Sequence, residues 1–218
     1  TRCLSDWSSD VCSSDLGDDG ATLAANTLGL CDSAQAVIHY RGNFYATFNV
    51  EGTVRLVNDV PVEQYLRGVV PRESPASWGD WGGGLGINAL RAQAVAARSY
   101  ALAQNRYSPY AKTCDTDTCQ VYGGAASRPN AGAVATNKEH ANTDRAVLDT
   151  ANMIRVRTSA PTVPVSTEFS SSNGARTAGV NFPPVDDAGD QVDFNPFVRW
   201  TRVIDMAGLA SRAGLARI

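Results

Sequence analysis

Lysine and histidine are scarce in this chain: Lys112 and Lys138 are its lysines, His39 and His140 its histidines. Two histidines far apart, with no ligand-like spacing, do not make a histidine-rich metal centre or a metal-binding helix motif. The formal net charge of -3 leaves no basic footprint, which sets nucleic acid aside as a partner. Arginine outnumbers lysine throughout, a bias of GC-rich coding sequence rather than of a binding function. No apolar run approaches the roughly 20 residues of a bilayer-spanning helix, so no transmembrane segment is expected. A nucleophile elbow and an internal repeat are also missing. Gly82, Gly83 and Gly84 follow no strand pattern and so do not read as a phosphate or dinucleotide loop.

What is present is a globular composition, 43% hydrophobic, in a length that suits one domain or one domain with a lobe. Residues 1–16, rich in serine and aspartate, have neither helical nor strand periodicity. Residues 6–16 resemble an in-frame translation of a sequencing-library adapter, so 1–16 are set aside as an artefact, as a fusion scar would be. Residues 17–30 then read as a linker or truncated start, 31–204 as the domain, and 205–218 as a terminal helix cut short. A native signal or anchor would lie upstream of this start.

Of the five cysteines, Cys3 and Cys12 fall in the discounted stretch. Cys114 and Cys119 enclose a short polar loop, Asp115 to Thr118. A bridge there would remove about 2 kcal/mol of unfolded-chain entropy and would imply an oxidising compartment. A tetrahedral zinc site would need two further ligands that the sequence does not place nearby. The bridge is therefore expected and a metal is not. Cys31 has no evident partner and reads as a buried thiol.

Alternation of apolar and polar residues over 36–40, 43–50 and 53–57, broken by Arg41-Gly42 and Glu51-Gly52, predicts an N-terminal β-meander. A short helix from Pro61 to Gly68 follows, with Asp59 available as a cap. Residues 78–86, with two tryptophans and many glycines, read as a loop. The strongest helix spans 85–105, where Leu90, Ala94, Ala97 and Ala101 share one face and the alanines allow close approach of a neighbour. Polar groups on such a buried helix, Gln93, Arg98 and Tyr100, must be hydrogen-bonded either to the fold or to a ligand. Residues 137–151 predict another helix, and 153–157 and 162–169 predict strands. The last strand runs into Ser170-Ser171-Ser172-Asn173-Gly174, a turn or the lining of a polar cleft. Strands before and after central helices make the fold class α+β.

One carboxylate stands out. Glu73 lies in Pro71-Arg72-Glu73-Ser74-Pro75. Pro71 is expected to stop the preceding helix and Pro75 to hold Ser74 extended, which places Glu73 on a short stiff loop. Beside Val69, Val70, Trp78 and Trp81, desolvation would favour the protonated form that a general acid needs. On the residues alone a solvated loop glutamate is the default reading and the catalytic one the sharper alternative.

Four blocks taken in order resemble the SpoIID/LytB family: Val57 through Trp78, Leu90 through Leu102, Cys114 through Gly124, and Phe169 through Gly174. The resemblance covers roughly Thr53 to Trp200. It implies a SpoIID-like α+β domain directed at peptidoglycan, secreted or anchored outside the cytoplasm, and without a cofactor. Family members include the stage II sporulation protein D, a lytic transglycosylase acting on glycan strands stripped of stem peptides, and the LytB amidase enhancers. By the resemblance the catalytic glutamate falls on Glu73. Substrate hydrogen bonds fall to Gln93, Arg98, Tyr122, Ser170, Ser171, Ser172 and Asn173. The implied partners are glycan strands and, on the alternative reading of a non-catalytic wall-binding module, a cell-wall amidase. Two departures count. Glu168-Phe169 stands where sporulation members carry Tyr-His, and Thr118 stands where zinc-binding relatives carry a histidine, so no zinc is expected.

Overall fold

The computed structural model describes residues 10–12, 27–31, 36–130, 132–177, 179, 183–193, 195–199, 201, 203 and 205. They fall in two compact units, Thr1–Glu168 and Phe169–Ile218. The first unit is a mixed α+β structure, the class expected from the sequence.

Its strands and helices run β1 (Asp10–Cys12), β2 (Thr27–Cys31), β3 (Val37–Arg41), β4 (Asn43–Phe48), β5 (Val54–Asp59), α1 (Val62–Glu73) and, after a 3-10 turn at Ala76–Asp80, α2 (Ile87–Ala103). Then follow β6 (Ala126–Arg128), β7 (Thr136–Asn137), α3 (Ala141–Asp149), β8 (Val156–Arg157) and β9 (Ala160–Pro164). One antiparallel sheet has the order β1-β2-β3-β6-β7, while β4-β5 and β8-β9 are separate hairpins.

The strands of the expected meander form, but they do not stay in one sheet. Gly42, at φ +82°, turns the chain out of the five-stranded sheet and into the β4-β5 hairpin. A Cβ there would sit 2.3 Å from the Asp59 carbonyl, so only glycine fits both the left-handed backbone and the close approach. The hairpin then carries Phe48 and Val54 exposed.

The start of the chain also differs from the sequence reading. Thr27–Cys31 is a strand with alternating burial rather than a linker, and Asp10–Cys12, from the stretch set aside, pairs with it. Cys31 is disulfide-bonded, not a buried thiol. That reading discounted the segment that pairs with β2, whose register sets Asp10 opposite Cys31.

Pro71 does not stop α1. The helix runs through it to Glu73, with Ser74 as its extended C-cap, φ -139° and ψ 133°. A proline this far into a helix costs about 3 kcal/mol through its missing N–H and the clash with the preceding turn. Leu66, Val69 and Val70 are fully buried on the same helix, and each such side chain returns about 1.5–3 kcal/mol. Packing therefore outweighs the local preference, and the Ser74 N–H closes the last turn on the Val70 carbonyl at 3.0 Å.

Helix α2 is flanked by α1 and α3, and its alanines Ala94, Ala97 and Ala101 enter a core with Tyr40, Tyr65, Leu66, Val69, Val70, Tyr122 and Val147. Helix α3 begins four residues later than expected because Thr136–Asn137 pairs with β6. Its cap is His140, whose Nδ1 accepts the Asn142 N–H at 3.1 Å. The strands expected over 153–157 and 162–169 form as the shorter β8 and β9. Beyond Asp205, the expected terminal helix lies outside the described residues. No helix among them is long and apolar enough to cross a membrane.

Candidate active site

Glu73 is the last residue of α1, half-buried at the point where Ser74 and Pro75 turn the chain away. The helix carries it there rather than a loop, which makes its backbone stiffer than the sequence reading required. Its Oε1 accepts the Val121 N–H at 2.9 Å. Its Oε2 has no hydrogen bond to a described residue, so one oxygen of the carboxylate is held and the other is not.

The segment that supplies the Val121 amide comes straight out of the Cys114–Cys119 loop. The two sulfurs are bonded, with Cα atoms 5.7 Å apart, as expected from the sequence. Both thiols are consumed in the bridge, so neither is available as a thiolate metal ligand. The Tyr122 N–H donates back to the Asp115 carbonyl at 3.4 Å, and the Gly123 N–H to the Gly68 carbonyl of α1 at 3.4 Å. Residues 121–123 thus lie along the end of α1, with consecutive amides committed to the helix, the loop and the acid.

Three tyrosines pack together in the core. Tyr122 meets Tyr65 and Tyr40 at tilted angles, with ring centroids 4.8 and 5.6 Å apart, and Tyr40 meets Phe44 edge-on at 5.4 Å. Burial pushes the Tyr65 hydroxyl well above its ordinary range, and the negative field of Glu73 adds to it, followed by Tyr100 and Asp115. Burial likewise raises Tyr122, and lifts Tyr40 to about 12. These phenols stay neutral donors at neutral pH. Tyr65 donates to Gln120 Oε1 at 3.3 Å, while the Gln120 amide Nε2, in a side chain 1% exposed, is unpaired.

The residues expected to bind substrate separate clearly. Gln93 is half-buried on α2 with an unpaired amide Nε2, the state of a group that can serve a ligand. Arg98 is instead fold support: 1% exposed, it holds both oxygens of Glu63 at 2.8 and 2.7 Å and the carbonyls of Met153 and Val147. Its three nitrogens are all engaged within the fold. Tyr122 is likewise engaged within the fold. Its ring is a core element and its hydroxyl donates to Asn58 Oδ1 at 3.1 Å.

Ser170, Ser171, Ser172 and Asn173 belong to the second unit. There Asp190 is the hub. Its Oδ2 accepts the Ser172 hydroxyl at 2.8 Å and the N–H groups of Asn173 and Ala175 at 2.9 and 3.1 Å. Ser170 Oγ donates to the Ser172 carbonyl, and Asn173 Nδ2 to Asp187. The polar groups of Ser170, Ser172 and Asn173 are thus engaged within the loop. Ser171 is exposed and has no such role.

Sequence reasoning missed Tyr65, Gln120 and the Val121 amide. Gln120 and Val121 lie inside the Cys114 to Gly124 block, so their signal was proximity to the bridge rather than residue type.

The architecture is that of a mixed α+β domain whose site centres on one carboxylate clamped at a helix end. Residues 50–156 match the profile of the SpoIID family, described as stage II sporulation protein, and the chain carries a SpoIID domain. Over 116 residues it is 35% identical to the amidase enhancer of Bacillus subtilis (strain 168), an alignment covering 53% of this chain and 13% of that protein. No solved structure matches the chain.

Proposed function

We propose that this domain is a peptidoglycan lytic transglycosylase that cleaves the linkage from N-acetylmuramic acid to N-acetylglucosamine, with Glu73 as both acid and base. The observation that carries the reading is the asymmetric hold on Glu73, one oxygen fixed by the Val121 amide and the other without a hydrogen bond to any described residue. As an acid, this second oxygen protonates the glycosidic oxygen while the C1–O bond breaks. The muramyl C6 hydroxyl attacks C1, and its proton returns to the Glu73 carboxylate. A 1,6-anhydro ring forms and no water is consumed, so the second carboxyl group of a hydrolase is not needed. Gln93, with its unpaired amide Nε2, would contribute a sugar hydrogen bond. The reaction places the domain outside the cytoplasm, where the wall is, and the Cys114–Cys119 bridge is consistent with an oxidising compartment.

A second reading has its own support. The relative from Bacillus subtilis bears the name amidase enhancer, which favours a wall-binding module that stimulates an amidase. Mass spectrometry of products from peptide-free glycan strands separates the two. Release of 1,6-anhydro-muramyl ends by the parent and not by Glu73→Gln establishes the transglycosylase. Intact strands, with folded protein bound to the wall, establish the enhancer.

A further inference from the structure

We propose that the Cys114–Cys119 bridge is a positioning element for Glu73, so that strand cleavage requires the bridge to be closed whereas wall binding does not. The inference rests on the reading of Glu73 as the catalytic acid. The contact path is short and continuous. Cys119 is followed by Gln120, whose side chain is held by the Tyr65 hydroxyl, and then by Val121, whose N–H holds Glu73 Oε1. The next amide, Tyr122 N–H, returns to the carbonyl of Asp115 inside the loop that the bridge closes.

Apart from the bridge, the loop is held by polar contacts among its own residues, the Cys119 N–H on the Thr116 carbonyl at 3.0 Å and the Thr116 and Thr118 hydroxyls 2.6 Å apart. Asp115, Thr116, Asp117 and Thr118 are all exposed, and no apolar packing anchors them. Their remaining ties are polar and local. Arg106 Nη1 donates to the Thr118 carbonyl at 2.6 Å and lies 3.6 Å from Cys119 Sγ. The Cys114 N–H points at Cys119 Sγ at 3.2 Å, a contact that depends on the two cysteines staying together. A segment with few buried contacts and solvent-exposed hydrogen bonds opens locally at low cost once its covalent closure is removed. Opening takes away the Asp115 carbonyl that holds the Tyr122 N–H, and so loosens the backbone at Val121, whose amide orients the acid, while the Gln120 and Tyr122 side chains stay seated in the core. A dithiol reductant would do this by transferring two electrons and two protons to the bridge, which becomes two thiols while the dithiol closes to a cyclic disulfide.

Cys31 is also disulfide-bonded, so the test uses substitutions beside reduction. The parent, the Cys114→Ser/Cys119→Ser pair and Cys31→Ser, each as the 218-residue chain, are assayed on peptide-free strands and for binding to insoluble peptidoglycan. Hydrogen exchange of the amides at 120–123 is followed in parallel. Displacement of a reacting group by about an ångström costs up to about a hundredfold, so the paired variant should lose at least about tenfold in kcat. Its KM and wall binding should stay near the parent's, with faster exchange confined to the Val121 region. Cys31→Ser should change neither. Parent-like kcat with unchanged exchange at Val121 overturns the inference, as does exchange that accelerates over the whole chain. If the parent releases no product, the transglycosylase reading fails, and the Val121 exchange alone then decides whether the bridge clamps Glu73.

Discussion

Arg98 and Glu63 meet as a two-pronged ion pair between α2 and α1, with the arginine 1% and the glutamate 35% exposed. The same guanidinium satisfies the carbonyls of Met153 and Val147, so one side chain joins both helices to the end of α3 and to the chain that follows it. Removing one partner of a largely buried pair leaves the other charged and unpaired. Arg98→Met should therefore cost roughly 3 kcal/mol of unfolding free energy, and the double replacement with Glu63→Met should cost less than Arg98→Met alone. Urea unfolding measures both. An Arg98→Met protein as stable as its parent but unable to bind glycan would restore the substrate role to Arg98.

Gly68 carries a different constraint, set by the close approach of Tyr122. A Cβ on residue 68 would meet the Tyr122 ring at 2.6 and 2.9 Å and the Gly124 carbonyl at 3.0 Å. The ring is packed between Tyr40 and Tyr65 and has little room to retreat. Gly68→Ala should destabilise the domain by about 1–3 kcal/mol, as overpacking does, even though alanine is the better helix former. A thermal melt reads this directly, and an unchanged melting temperature would mean that the ring moves freely.

These two residues show where the sequence was legible. The apolar periodicity of α2 was open to reading because burial follows the 3.6-residue repeat, and the spacing of Cys114 and Cys119 already suggested a bridge. The extent of α1 was not, since the stop expected at Pro71 is a local rule and burial of Leu66, Val69 and Val70 is a tertiary effect. The partner of Arg98 lies 35 residues away, and nothing in the motif distinguishes a guanidinium aimed at sugar from one aimed at Glu63. The sheet exchange at Gly42 was invisible for a similar reason. Alternation predicts strands, while the choice of sheet is made by packing.

The buried tyrosines predict an alkaline limit. The Tyr40 hydroxyl is raised from 10.0 to about 12, mainly by burial, with Asp115 adding to the effect. The neutral phenol is favoured in the folded state, so this stabilisation is complete below the unfolded value near 10 and is lost as pH rises through about 12. Tyr65 and Tyr122 shift in the same direction. Titration of phenolate absorbance should show Tyr40, Tyr65 and Tyr122 ionising only together with unfolding, well above pH 10. Ionisation of these three near 10, without unfolding, would contradict the buried cluster.

The second unit should instead show an acid limit centred on Asp190. The Ser172 hydroxyl is the largest influence holding its carboxyl below the ordinary 3.8, followed by the Ala175 amide and, more weakly, Asn173 and Gly174. A depressed carboxyl stabilises the loop above its unfolded value, and that support is lost as pH falls through the lower folded value. Amide exchange at Asn173 and Ala175 should accelerate in that window. Ser172→Ala should mimic the change at neutral pH, because it removes both the donor to Asp190 and the acceptor of the Gly174 N–H. Asp190→Asn should have the larger effect, since three donors converge on the one oxygen. If Ser172→Ala weakened glycan binding and left exchange in the loop untouched, the hydroxyl would be serving substrate rather than the turn.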